Sequence, residues 1–537
     1  MKKIYSILLL SGILGLSACN LLDMSPVDYN SAGNFWTSEA KVQTFYNGLL
    51  TNLRSDYTSP LILGEFRGGT LITGSSIESV GQLYDGLTMN NPIDKNNPQI
   101  TNWNSYYGKI LQVNDLLDHL ETGCEFMDDA TRNLYRGRGY GLRAYYYFML
   151  YRTYGGVPLE KTVKVASGSV NINDLYLARS SAEETLQFIK DDILRSEEGY
   201  GNVHEVSRTG WSYYATELLK ARVYLWSAKV TTRFAVKPDR DKDAIVEDPS
   251  GAHKATWPAS NADLETAKAA LQAIVASGEF SLEDNFADIY SADNKAGKEI
   301  ILVNHFDRSE TTNTFLGWFA YQAAIWCNSF YDEDGNLLAD PLELCGTGTH
   351  RVEYLEAFVK SFDKADARRA ATFHECYTTA DPATRRFGSA MIKYMGHREG
   401  DNRYADSDMV LMRYADVLLS LAEVENALGN YASAAEYVNQ IRERAYGGSY
   451  PTYTAGSFAE NEKAILVERD KEFVAEGTRW FDLLRMQDAN HEPLVFSDEV
   501  SYRGTAALQR SETQKLLWPI DAAVLAGDDL IAQTVGY

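Results

Sequence analysis

Cysteine is scarce. Five cysteines, Cys19, Cys124, Cys327, Cys345 and Cys376, stand in 537 residues, and no CxxC pair occurs among them. That spacing excludes a disulfide-dense scaffold and the common structural zinc motifs. Cys327 and Cys345 could pair across a loop, and buried free thiols fit equally well. Positive charge is also in deficit, with 51 Lys and Arg against 74 Asp and Glu, a formal net charge of −23. Such a surface repels nucleic acid and anionic lipid, so no nucleic-acid partner is expected, and neutral ligands are the default. The eight histidines are scattered, and His374-Glu375-Cys376 lacks the second histidine of an HExxH site. There is no GxSxG elbow and no GxxxxGK[ST] loop. Among 74 carboxylates some pair will always fall at glycosidase spacing, so their abundance carries no argument for hydrolysis. No enzyme activity, catalytic residue, metal ligand or cofactor is therefore assigned. A structural calcium ion is left open, although Asp332-Glu333-Asp334-Gly335-Asn336 has its glycine too early for an EF-hand loop and reads as a tight turn. Beyond the N-terminus, no stretch reaches the ~20 apolar residues that cross a bilayer.

What the sequence does have begins at its first residues. Lys2 and Lys3 precede an apolar run from Ile4 to Leu16, closed by Leu16-Ser17-Ala18-Cys19. This reads as a secretory signal peptide over residues 1–18. The closing tetrad resembles a bacterial lipobox, which makes Cys19 the candidate lipidation site. Acyl carbons worth roughly 0.8 kcal/mol each when buried would tether the chain to a membrane without a spanning helix. Residues 19–537 then form one compact body, for no Pro/Ser-rich linker or charge block divides them. Its N-terminal part runs over about 19–230 and its C-terminal part over about 260–537. Aromatics are plentiful, with 34 Tyr, 21 Phe and 9 Trp. Most serve a core, but Tyr and Trp also form platforms for the apolar faces of sugar rings.

The periodicity is helical. Residues 130–154 carry Leu134, Leu142, Tyr145, Tyr146, Met149 and Leu150 at helical spacing, stopped by Gly155-Gly156-Val157-Pro158. Ser180 and Ser181 before Glu183 and Glu184 form an N-terminal capping signature. Further helices are read over 211–230 and over 263–277, the latter ended by Gly278. Residues 413–428 and 431–445 make a hairpin around Gly429-Asn430 that looks like a degenerate tetratricopeptide unit. Long irregular stretches, roughly 55–102, 231–260, 291–351 and 371–408, separate the helices and are where ligands are sought.

Several blocks carry a family resemblance. Arg143-Ala144-Tyr145-Tyr146-Tyr147-Phe148 leads into Tyr154-Gly155-Gly156-Val157-Pro158-Leu159. Arg179-Ser180-Ser181-Ala182-Glu183-Glu184 and the helix 215–226 follow. Next come Met412-Arg413-Tyr414-Ala415-Asp416-Val417-Leu418-Leu419 with Ala422-Glu423, and Asn439-Gln440-Ile441-Arg442-Glu443-Arg444-Ala445. Then Glu468-Arg469 runs through Glu472 and Glu476-Gly477-Thr478-Arg479-Trp480-Phe481-Asp482 to Trp518-Pro519-Ile520 and Gln533-Thr534-Val535-Gly536-Tyr537. In order and spacing these resemble the SusD/RagB family of outer-membrane nutrient-binding lipoproteins, departing from it at Thr534-Val535.

The resemblance implies a mostly α fold, SusD-like, with four TPR-like helix pairs as scaffold and a loop-rich, irregular ligand-binding region. It also implies a cell-surface location at the outer membrane, an oligosaccharide ligand, and a SusC-like TonB-dependent transporter as partner. Glu468, Arg469, Glu472, Glu476, Arg479 and Asp482 read as a structural buried charge network.

For ligand contact, the resemblance points to an aromatic arc. Trp103, in a W-x-x-x-Y-x-x-I-x-x-x-N block with Tyr107, Ile110 and Asn114, is its first candidate, with packing of its helix as the competing role. Trp318, Tyr321, Trp326 and Tyr331 crowd a second segment, of which one or two would touch ligand and the rest pack. Asp85, Arg67, Asn102, Asn104 and Arg386 are polar candidates for sugar hydroxyls. A peptide ligand, as in RagB-like members, is the alternative, followed by a helical scaffold without a small ligand.

Overall fold

The computed structural model describes residues 35–73, 93–96, 102–163, 176–232, 253–314, 330–341, 352–400, 402–534 and 536–537. The molecule is mostly helical. Helices α1 (Glu39–Ser55), α2 (Ser59–Gly64), α3 (Trp103–Thr122), α4 (Asp129–Tyr154), α5 (Ala182–Tyr200), α6 (Tyr213–Lys229) and α7 (Asn261–Ser277) fill the first half. The second half holds α8 (Ala367–Thr372), α9 (Tyr414–Ala427), α10 (Tyr431–Tyr446), α11 (Phe458–Glu472) and α12 (Arg479–Arg485).

Local chemistry sets the helix ends. The Asp128 side chain accepts from the Thr131 amide to start α4, and Gly155 at φ 76° ends it. Ser181 and Glu184 form a full capping box at α5, each side chain accepting the other's backbone N–H at 2.9–3.0 Å. Gly278 in the left-handed region closes α7. The helices pack in series: α3 on α4, α4 on α5, α5 on α6, α6 on α7, α7 on α9, and α10 and α11 on α9. Eight helices in a row give the succession of pairs that a tetratricopeptide-like scaffold requires. Where α4 crosses α5, a Cβ on Gly199 would sit 2.6 Å from the Gly137 Cα, so this crossing depends on glycine.

The stretches between helices contain short strands that periodicity does not reveal. Ile300–Asn304 pairs antiparallel with Met409–Arg413, and Leu71–Thr73 with Val352–Tyr354. A four-stranded sheet has the spatial order Leu337–Leu338, Phe330–Tyr331, Phe373–Tyr377, Phe387–Met391. The Asp332–Asn336 segment is its hairpin turn: Asp332 Oδ1 accepts from the amides of Asp334 and Asn336, and Gly335 takes φ 85°. One apolar cluster runs through the molecule from Val42 to Ile531. Cys124 and Cys376 are buried free thiols, whereas Cys327 and Cys345 lie outside the described residues.

Within the core sits a set of ion pairs. Arg413 contacts Glu299, Glu472 and Glu476 at 2.7, 2.6 and 2.9 Å. Arg444 holds Glu299 and Glu472, Arg368 holds Asp366, Glu468 and Glu472, and Arg442 and Lys393 reach Glu468 and Glu476. Five cations thus meet five carboxylates. Burial alone would raise Glu472, but Arg444, Arg413 and Arg368 overcome it and hold the carboxyl well below the usual range. The charges of the 468–482 block, from the end of α11 to the start of α12, are structural, for they are taken up in ion pairs inside the molecule.

Candidate ligand-binding face

The first turn of α3 carries the leading aromatic candidate. Trp103 is the first residue of that helix and is only 5% exposed, edge-on to Tyr154 with centroids 5.1 Å apart and 5.2 Å from Tyr107. The rest of its block grips the chain after α4. Tyr107 Oη donates to the Pro158 carbonyl at 2.8 Å, and Asn114 Nδ2 to that of Glu160 at 3.0 Å. Arg143 joins Asn114 on α3 to Asp192 on α5 with bonds of 2.7–2.8 Å. Arg179 donates to Gly156 and Ala532 carbonyls from the next block. These blocks therefore fasten the Gly155–Glu160 segment. The structure corrects the open-platform reading of Trp103: the helix start is packed against the end of α4, and the indole is a packing side chain.

Arg67 is corrected in the same way. It is fully buried, its guanidinium 4.0 Å from the Trp480 ring and 4.7 Å from Trp518. Burial pushes its pKa down to about 10, against the opposing influence of Tyr537 and Glu512. It clamps α12 to the C-terminal segment and does not face a ligand. Asn102 is buried as well, accepting from Tyr154 Oη at 2.8 Å.

Two polar candidates are exposed. Asn104 follows Trp103 on α3. Arg386 precedes the strand Phe387–Met391, its backbone bonded both ways to Thr378. Nearby Glu353 is buried, which raises its carboxyl to about 7 against the pull of the Arg386 charge. Tyr331 is half-buried on its strand. Asp85, Trp318, Tyr321, Trp326 and the anchor Cys19 lie outside the described residues. The described candidates thus sit on separate elements: Asn104 on the scaffold, Arg386 and Tyr331 on the small sheet.

Two grooves have the size of a small ligand. One, of about 410 Å³, runs between Leu159 and Lys161 and the start of α5, where Ser180, Glu184 and Gln187 offer hydrogen-bonding groups. It adjoins the segment that Tyr107 and Asn114 hold, and sequence reasoning missed it because its lining is assembled from separate stretches, 159–161, 177–180 and the first turns of α5. The other, of about 440 Å³, is bounded by Asp288, Tyr290, Asp293, Lys393 and Ser407. Among the described residues no group of three or more His, Cys, Asp or Glu is arranged to hold a metal, and no helix is long and apolar enough to cross a membrane.

The chain's relatives bear on these surfaces. Residues 375–537 match the profile of the SusD family, and residues 22–225 match one described as starch-binding, associating with the outer membrane. A solved SusD superfamily protein from Bacteroides fragilis is 34% identical over 94% of this chain and 100% of its own, with a TM-score of 0.81. The chain belongs to the SusD family. NanU of B. fragilis superposes with a TM-score of 0.75 at 29% identity, covering 96% of this chain and 100% of NanU. SusD-like protein P38 of Formosa agariphila is 26% identical over the full length of both chains. The helical series described above is thus the SusD fold, and in this chain the Arg143–Leu159 and Glu468–Asp482 blocks fasten it internally.

Proposed function

We propose that this SusD-family chain is a glycan-binding receptor of the outer membrane, one that captures an oligosaccharide and carries out no chemistry on it. The match of residues 22–225 to the starch-binding, outer-membrane-associating profile carries the reading. The formal charge of −23 favours a neutral glycan over a polyanionic one. Lipidation of Cys19 would tether the body at the cell surface, and a SusC-like TonB-dependent barrel would receive the ligand.

The proposed contact residues are the exposed Asn104 and Arg386 with Asp85 and the aromatic segment of Trp318, Tyr321 and Trp326. Stacking on an aromatic face combined with several weak hydrogen bonds would give modest affinity. The test is affinity electrophoresis and calorimetry of the 20–537 protein against a panel of polysaccharides, beside Trp318→Ala, Trp326→Ala and Asn104→Ala. Retardation by a glycan that an aromatic variant loses while staying folded supports the reading. Heat from peptides with none from glycans would replace it with a peptide receptor.

A further inference from the structure

A small cavity lies where α4, α6, α11 and α12 meet. Four arginines line it, Arg152, Arg222, Arg469 and Arg485, together with Phe148 and Phe481. Three of them are matched by carboxylates. Arg469 bonds Asp416 and Asp482 at 2.8 Å each, and Arg222 bonds Asp416 at 2.8 Å. Arg485 holds Glu423 through two bonds of 2.8 Å and Asp482 at 2.7 Å. Behind them Lys229 joins Glu423 and Glu462 at 2.8 and 2.6 Å. Arg222, Arg469, Arg485 and Lys229 therefore balance Asp416, Asp482, Glu423 and Glu462.

Arg152 is a fifth cation with no carboxylate partner among the described residues. It donates to the Met149 sulfur at 2.9 Å, and its guanidinium lies 3.8 Å from the Phe481 ring and 4.2 Å from Phe148. Its Nε is buried without a hydrogen bond. Glu476 also lines the cavity but is engaged by Arg413 and Lys393. Burial, with the charges of Arg222 and Arg485, pushes Arg152 down to about 9. Arg152 as a whole is half-buried, and a surplus cation partly withdrawn from water among three other guanidinium groups is stabilised by an anion that answers it.

We propose that this cavity binds one small monovalent inorganic anion of halide size, held by Arg152 and flanked by Arg222 and Arg485. Its volume, about 70 Å³, sets the class. On that measure a single water needs about 10–15 Å³, so there is room for a small inorganic anion with a few waters. Arg222, whose side chain is 26% exposed, marks the side from which the ion enters. The anion would lock α4 to α12, the two helices whose aromatic rings face the Arg152 guanidinium.

Crystals of the protein grown in sodium bromide, measured at the bromine edge, should show an anomalous peak in contact with the Arg152 guanidinium. In solution, the thermal midpoint should rise by about 2 °C across a hundredfold range of chloride at constant ionic strength, with gluconate, which is too large to enter, as the replacement. Arg152→Met should abolish that rise. Absence of the peak, equal midpoints in chloride and gluconate, or a chloride dependence that persists in Arg152→Met would each overturn the proposal.

Discussion

Arg413→Met tests the ion-pair core directly. Arg413 is 1% exposed, contacts three carboxylates within 2.9 Å, and also donates to the Glu472 carbonyl at 2.8 Å. Removing one partner of a buried pair costs about 3–5 kcal/mol because the other charge is left without compensation. Here none of the three acids is wholly abandoned. Arg444 still holds Glu299 and Glu472, and Lys393 still holds Glu476 at 2.6 Å. The loss should therefore fall near the low end, about 3 kcal/mol. Urea unfolding followed by circular dichroism and tryptophan fluorescence reads it, at low and at high salt. Buried pairs are weakly screened, so the deficit should be nearly the same at both. A loss below ~1 kcal/mol, or one that disappears in high salt, is the behaviour of an exposed pair and would refute the reasoning.

Four further outcomes are expected. Burial, reinforced by the Arg152 charge, lowers His253 to about 4, and its ring bonds Thr232 Oγ1 and the Arg152 carbonyl at 2.8 and 3.0 Å. Below pH ~6.5 the unfolded chain takes up the proton first. His253 therefore contributes stability that is complete above pH 6.5 and lost as pH falls towards 4, at most about 3 kcal/mol, and His253→Asn should flatten that slope in denaturant titrations. Arg67→Ala should cost about 2–3 kcal/mol in unfolding free energy through lost stacking between Trp480 and Trp518, and leave ligand binding by the folded protein unchanged. Trp103→Ala should destabilise by about 3–5 kcal/mol in the same assay, with no loss of glycan affinity in the fraction that folds. Gly477→Ala should lower the melting temperature, because Gly477 holds φ 72° and a Cβ there would strike the Pro60 carbonyl.

Much of the scaffold is legible in the sequence because its determinants are local. Ser181 with Glu184, Gly155, Gly278 and the Asp332–Asn336 turn each act within a few residues of themselves, so spacing alone reveals them. The charge network is legible for a different reason: so many acids and arginines within Glu468–Asp482 tolerate burial only if paired. What is not legible depends on distant partners. Arg67 beside Gly68-Gly69 has the look of a surface loop, and only Trp480 and Trp518, more than four hundred residues away, make it a core residue. Trp103 misleads similarly, since its neighbour Tyr154 comes from another helix. The pairing of Ile300–Asn304 with Met409–Arg413 spans a hundred residues, and neither five-residue strand has a period long enough to read. The surplus charge of Arg152 emerges only when all its neighbours are counted together.

The central claim is tested most directly by titrating the 20–537 protein with purified polysaccharides in a calorimeter, with Trp326→Ala alongside. Saturable heat with at least one glycan, reduced tenfold or more in the variant while its circular dichroism stays unchanged, is the predicted result. No heat from any glycan in the panel, or equal heat from the wild type and the variant, would contradict the account.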